Sequence, residues 1–145
     1  MPRITFISIL LIAAFWFGGC ATMSDVLASK DQGTVEVYPV TQDQAWEIAM
    51  TVLRWSGADA IEEHRTQGYM LTSKGQNFVS AGCFIGVWVE KVDDQNTKVT
   101  VVTKRKVATN AATGLTQAGF QRQFAKAVDI VKSGKPLPPK EPMGE

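Results

Sequence analysis

Two arms of alternating side chains on either side of a short turn leave a polypeptide little choice but a β-hairpin. This chain carries its strongest one between Val79 and Val107. The outgoing arm runs from Val79 through Ala81 to Val92, Asp93-Asp94-Gln95-Asn96 forms the turn, and Lys98 to Val107 returns. Successive side chains on a pleated strand point to opposite faces. Cys83, Ile85, Val87 and Val89 therefore share one face of the outgoing arm, and Phe84, Gly86, Trp88 and Glu90 the other. On the return arm Val99 and Val101 oppose Thr100, Val102 and Lys104. A face built from Ile85, Val87, Val89, Val99 and Val101 must be covered, and the rest of the chain has to supply the cover.

Two segments have the period of amphipathic helices. Thr41-Gln42-Asp43-Gln44 is a capping box, in which the Thr41 hydroxyl accepts from the Gln44 amide while the Gln44 side chain reaches back. It predicts a helix over 42–56 with Trp46, Ala49, Met50 and Leu53 on one stripe and Gly57 as its stop. The second runs over 117–132 with Phe120, Phe124, Ala127, Val128 and Val131 in line, ended by Ser133-Gly134. Shorter alternating stretches predict three more strands. Thr34 to Val40 sets Val35 and Val37 against Thr34, Glu36 and Tyr38, and Ala58–His64 and Gly68–Lys74 are joined through Arg65-Thr66-Gln67-Gly68. The order β-α-β-β-β-β-α predicts an α+β fold. It is a two-layer sandwich of about five antiparallel strands with two helices on one face, spanning residues 34–132. Residues 107–116 are expected to be a loop.

The N-terminal end has a different character. After Arg3 the stretch from Ile4 to Phe17 is apolar except for Thr5 and Ser8, and it stops at Gly18-Gly19-Cys20. From Ile4 to Gly19 a helix would rise about 24 Å, short of a hydrocarbon core of about 30 Å. A cationic start, an apolar centre and small residues before a cut are instead the parts of a signal peptide. The segment Phe17-Gly18-Gly19-Cys20 resembles the lipobox of bacterial lipoproteins. Gly18 and Gly19 sit at its small positions and Cys20 at the lipidated one, while Phe17 departs from the aliphatic residue usual there. The alternative is an ordinary secretory signal with an incidental cysteine.

The resemblance implies cleavage after residue 19, a diacylglyceryl group on Cys20 and a further acyl chain, such as palmitate, on its amine. Two or more chains make the anchor stable. Ala21, in place of the aspartate that marks inner-membrane retention in enteric-type bacteria, implies an outer-membrane, periplasm-facing destination. Residues 20–33, small and polar without sustained period, are expected to be a tether. Residues 133–145, with Pro136, Pro138, Pro139 and Pro142, are expected to be an extended, unpacked tail.

Removing Arg3 with the signal brings the formal charge from +1 to zero. No long-range field then favours nucleic acid or an anionic membrane surface. With Cys20 acylated, Cys83 has no cysteine partner and is expected to be a buried, inert thiol.

Catalytic and metal chemistry finds little footing. His64 is the only histidine, and its neighbours Glu62 and Glu63 point to opposite faces of a strand. Asp93 and Asp94 offer too few ligands for calcium and fit turn chemistry. No nucleophile elbow or phosphate loop is present, and no cofactor is expected. Lys104-Arg105-Lys106 is a charged strand end, alternatively a site for lipid phosphates or other anions.

Beyond the signal, Val37-Tyr38-Pro39-Val40 before Ala45-Trp46, Gly68-Tyr69-Met70-Leu71 and Thr97-Lys98-Val99-Thr100-Val101 resemble small envelope lipoproteins of uncharacterised function in Gram-negative bacteria. More loosely they are similar to BamC-type assembly lipoprotein domains. That resemblance implies no catalysis. The expectation is a non-catalytic binding or scaffold module, alternatively a small envelope enzyme. Its partner would be an envelope protein or a second copy, met by an outer face bearing Phe84, Trp88 and Val102 that the chain itself could otherwise fold back to cover.

Overall fold

The computed structural model describes residues 21–75, 82–106 and 116–142. The chain forms helix α1 (Met23–Ala28), a 3-10 turn at Lys30–Gln32, strand β1 (Thr34–Tyr38) and helix α2 (Gln42–Trp55). Strands β2 (Ala58–His64), β3 (Tyr69–Lys74), β4 (Cys83–Lys91) and β5 (Thr97–Arg105) follow, and helix α3 (Gln117–Lys132) comes last. All five strands make one antiparallel sheet in the order β1-β5-β4-β3-β2. Strands β2 to β5 are a meander, whereas β1 and β2 are the two edges, so α2 connects them by crossing the sheet. With α3 it covers one face and gives the predicted α+β sandwich.

Local signals account for the element ends. Thr41 Oγ1 accepts from the Gln44 amide at 3.3 Å, and Gln44 Oε1 accepts from the Thr41 amide at 3.0 Å. Thr116 caps α3 by accepting from the Gly119 amide at 3.0 Å. Gly68, at φ 74°, takes the left-handed conformation that the β2–β3 connection requires. Asp93 closes the β4–β5 turn by accepting from the Gln95 amide at 2.8 Å and from the Asn96 side chain. Those bonds, led by the one from Asn96, hold its carboxyl below the ordinary range.

Cys83, Ile85, Val87, Val89, Val99 and Val101 meet Trp46, Ile48, Leu53, Phe120 and Phe124 in the main core, as the pleat predicts. β1 is oriented by a different residue than its valines. Val35 and Val37 are 52% and 55% exposed, and it is Tyr38 that enters the core. Its ring lies 4.5 Å from that of Phe124, and its hydroxyl donates to Gln121 Oε1 at 2.8 Å. Gln121 Nε2 donates in turn to the carbonyls of Thr34 and Val99, joining α3 to the β1–β5 ladder.

The tail is extended but not unpacked. Leu137 packs against the core, the Pro138 carbonyl accepts from Trp55 Nε1 at 2.9 Å, and Lys126 donates to the Pro142 carbonyl. Proline lacks an N–H but keeps its carbonyl, and these contacts use it. The expected loop at 107–116 lies outside the described residues save Thr116, as do the strand residues before Gly82 and Val107 itself.

Candidate functional site on the outer face of the sheet

The face turned away from α2 and α3 carries Phe84, Gly86, Trp88, Tyr69, Leu71 and Val102, where strand alternation placed them. It is not open. Residues 22–32, expected to be part of a tether, fold onto it instead. Thr22 begins α1 with a capping box, its amide and hydroxyl donating to Asp25 Oδ2 at 2.6 and 2.8 Å and its Oγ1 accepting from the Asp25 amide at 3.3 Å. The bond from the Thr22 hydroxyl, then that from its amide, with a smaller contribution from Lys104, holds the Asp25 carboxyl below the ordinary range.

A six-residue helix does not persist by itself. Burial holds it: Val26 is 0% exposed among Leu71, Trp88 and Val102, with Met23, Tyr69 and Phe84 around them. Trp88 is only 5% exposed, and of the two occupants open for this patch, a partner or the chain itself, it is the chain's own N-terminal segment that covers it. Two glycines permit the approach. A Cβ on Gly86 would lie 2.6 Å from Val26 Cγ1, and one on Gly33 would lie 2.8 Å from Thr100 Cγ2 and the Val101 carbonyl oxygen.

Charged groups rim this second core. Glu90 bridges Lys30 at 3.0 Å and Lys98 at 3.2 Å. Burial pushes its carboxyl up, but the hydrogen bonds and charges of the two lysines outweigh that and hold it below the usual range. Lys104 and Lys106 have neutral partners. Lys104 Nζ donates to Gln32 Oε1 at 3.2 Å, and Lys106 Nζ sits 5.1 Å from the centre of the Phe84 ring. Arg105, between them in sequence and exposed, pairs with Cys83 in the ladder and so points to the other face.

The other residues singled out in the sequence do not converge on a site. His64 Nε2 pairs with Glu62 Oε1 at 2.6 Å and its ring stacks on Tyr69. Glu63, on the opposite face, accepts from Trp46 Nε1 at 2.7 Å. Asp94 pairs with Lys91 beside the turn that Asp93 closes, and Cys83 is buried in the main core. Among the described residues no group of three or more His, Cys, Asp or Glu side chains could hold a metal ion. Cys20 and the preceding Phe17, Gly18 and Gly19 lie outside the described residues. Neither a protein-family model nor a curated protein sequence matches the chain.

Sequence reasoning missed two clusters. Arg65 reaches Glu47 at 3.0 Å and Glu63 at 3.6 Å while lying over the Trp46 ring, ties between elements that no local spacing announces. The docking of α1 had a readable signal, because Thr22-Met23-Ser24-Asp25 is a capping pattern followed by Val26. What the outer face offers chemically is a half-apolar surface with lysines at one end.

Proposed function

We propose that this protein is a periplasm-facing lipoprotein, held through acylated Cys20 in the outer membrane and acting as a non-catalytic binding or scaffold module. The observation that carries the reading is the apolar run ended by Gly18-Gly19-Cys20, with folded structure starting almost at once at Thr22. An anchor there serves the domain directly. Glu63 and Tyr38 join elements, and His64 and Asp93 are engaged within their own strand and turn, which supports the non-catalytic part. On the side turned away from α1, a groove of about 450 Å³ between α2 and the tail is lined by Ile48, Val131 and Leu137 with Asp43 and Glu47 at its edge. It is the place for an envelope protein or a second copy to bind.

Membrane fractionation with intact-mass analysis tests the anchor. The wild type should be membrane-bound with an acylated amino-terminal Cys20, and Cys20→Ser should lose the modification. An unmodified amino terminus at or beyond residue 20 in wild type would exclude it. A photo-crosslinking residue at Thr51, in the groove, should capture one discrete partner from intact cells. A pattern no different from that of an exposed control site on α3 would remove the binding module.

A further inference from the structure

We infer that the outer face of the sheet lies against an anionic lipid bilayer, with Lys104 and Lys106 at the headgroups and Leu27, Val35 and Val37 at the interface. The inference rests on the lipid-anchor reading above. It begins from chain length. Thr22 is the N-cap of the docked helix α1, and the two links back to Cys20 span at most about 7 Å. Acyl chains on Cys20 therefore hold α1, and with it the outer face, at the membrane surface. A free tether of the length expected from sequence would have set no orientation.

The composition of the face fits that position. Leu27, Val35 and Val37 are 38%, 52% and 55% exposed, and they share this side of the sheet. Among the described residues the other large apolar group so exposed is Val92, at the far end of the β4–β5 hairpin. The cations are also available. Among the described residues neither Lys104 nor Lys106 forms an ion pair with a carboxylate, while Arg105, opposite Cys83 in the ladder, points to the helix-covered face. An amide and an aromatic ring position the two lysines without neutralising them. The face's carboxylates are mostly engaged, Asp25 in its capping box, Glu90 between two lysines and Glu62 with His64 at the β2 edge, while Asp31 stays exposed. Exposed apolar side chains and lysines carried on one face match the layered chemistry of an anionic bilayer, phosphate outside and acyl chain beneath.

The test uses the full-length lipidated protein in vesicles that contain phosphatidylglycerol and a trace of nickel-chelating lipid. Nitroxide labels are placed at Ser24→Cys on α1 and Ala125→Cys on α3, on opposite sides of the sheet. The Ser24 label should be strongly relaxed and the Ala125 label spared. The contrast should collapse in Lys104→Gln/Lys106→Gln, in phosphatidylcholine vesicles and at high salt. Each cation at an anionic surface favours contact roughly fivefold, so removing two shifts the docked-to-free ratio by on the order of twenty-five-fold. The double variant should keep its denaturation midpoint, since these side chains lie outside both cores.

Equal relaxation of the two labels in wild type, or a contrast indifferent to the two lysines or to lipid charge, would overturn the docking while leaving the anchor in place. Wild-type protein whose Cys20 carries no lipid by mass would overturn both.

Discussion

Replacing Gly86 with alanine puts a methyl carbon 2.6 Å from Val26 Cγ1 and 2.9 Å from the Trp88 ring, closer than carbon atoms can pack. Strand β4 cannot move aside, because it is bonded to β3 and β5 along its length. The strain must fall on α1. Keeping the helix in place means overpacking, which costs about 1–3 kcal/mol. Lifting it away re-exposes Val26, worth about 1.5–3 kcal/mol, together with parts of Trp88 and Val102. The two routes cost nearly the same, so Gly86→Ala should lose about 2 kcal/mol whichever is taken. Urea denaturation followed by tryptophan fluorescence measures the loss, and amide exchange over residues 22–32 shows whether α1 has lifted. Val26→Ala removes the nearest clashing atom and leaves the contact with the Trp88 ring, so the double variant should be less destabilised than the sum of the singles by about 1 kcal/mol. Additive effects, or a Gly86→Ala protein within about 0.5 kcal/mol of wild type with α1 equally protected, would refute the close approach as the reason α1 sits where it does.

Three further outcomes follow from the same contacts. Glu90 titrates below its ordinary value of 4.5, so the stabilisation it gives by holding Lys30 and Lys98 is present above that pH and is lost as pH falls through the lower folded value. Glu90→Gln should flatten the acid side of the stability profile, and an unchanged profile would count against the bridge. Tyr38→Phe strips the donor from the buried Gln121 Oε1 and should cost about 1–3 kcal/mol in denaturant melts, whereas a loss under about 0.5 kcal/mol would mean the clasp is slack. Cys83, 1% exposed, should react with thiol reagents only on unfolding, and Cys83→Ser should cost about 1–3 kcal/mol; rapid modification of native protein would place it at the surface instead.

The sequence by itself determined those features whose causes lie within a few residues. The α2 start is set by Thr41 and Gln44 three positions apart, the α3 stripe by a helical repeat, and the two faces of β4 by the pleat. The lipobox resemblance of Phe17 to Cys20 is likewise local, and it carries the functional reading. Tertiary structure alone decided which face of a strand or segment found cover. Alternation in β1 separates Val35 and Val37 from Tyr38 without ranking the sides, and the choice fell to Phe124 and Gln121, the latter 83 residues along the chain from Tyr38. The capping box at Thr22 permits a turn of helix, but only the pocket over Gly86 among Leu71, Trp88 and Val102 makes six residues of it persist. The same docking turned an expected tether into a cover and made a second core of the outer patch, for which sequence had left a partner and the chain itself both open. Capping and periodicity act between near neighbours and so can be read from one segment, while burial depends on surface brought together from the whole chain.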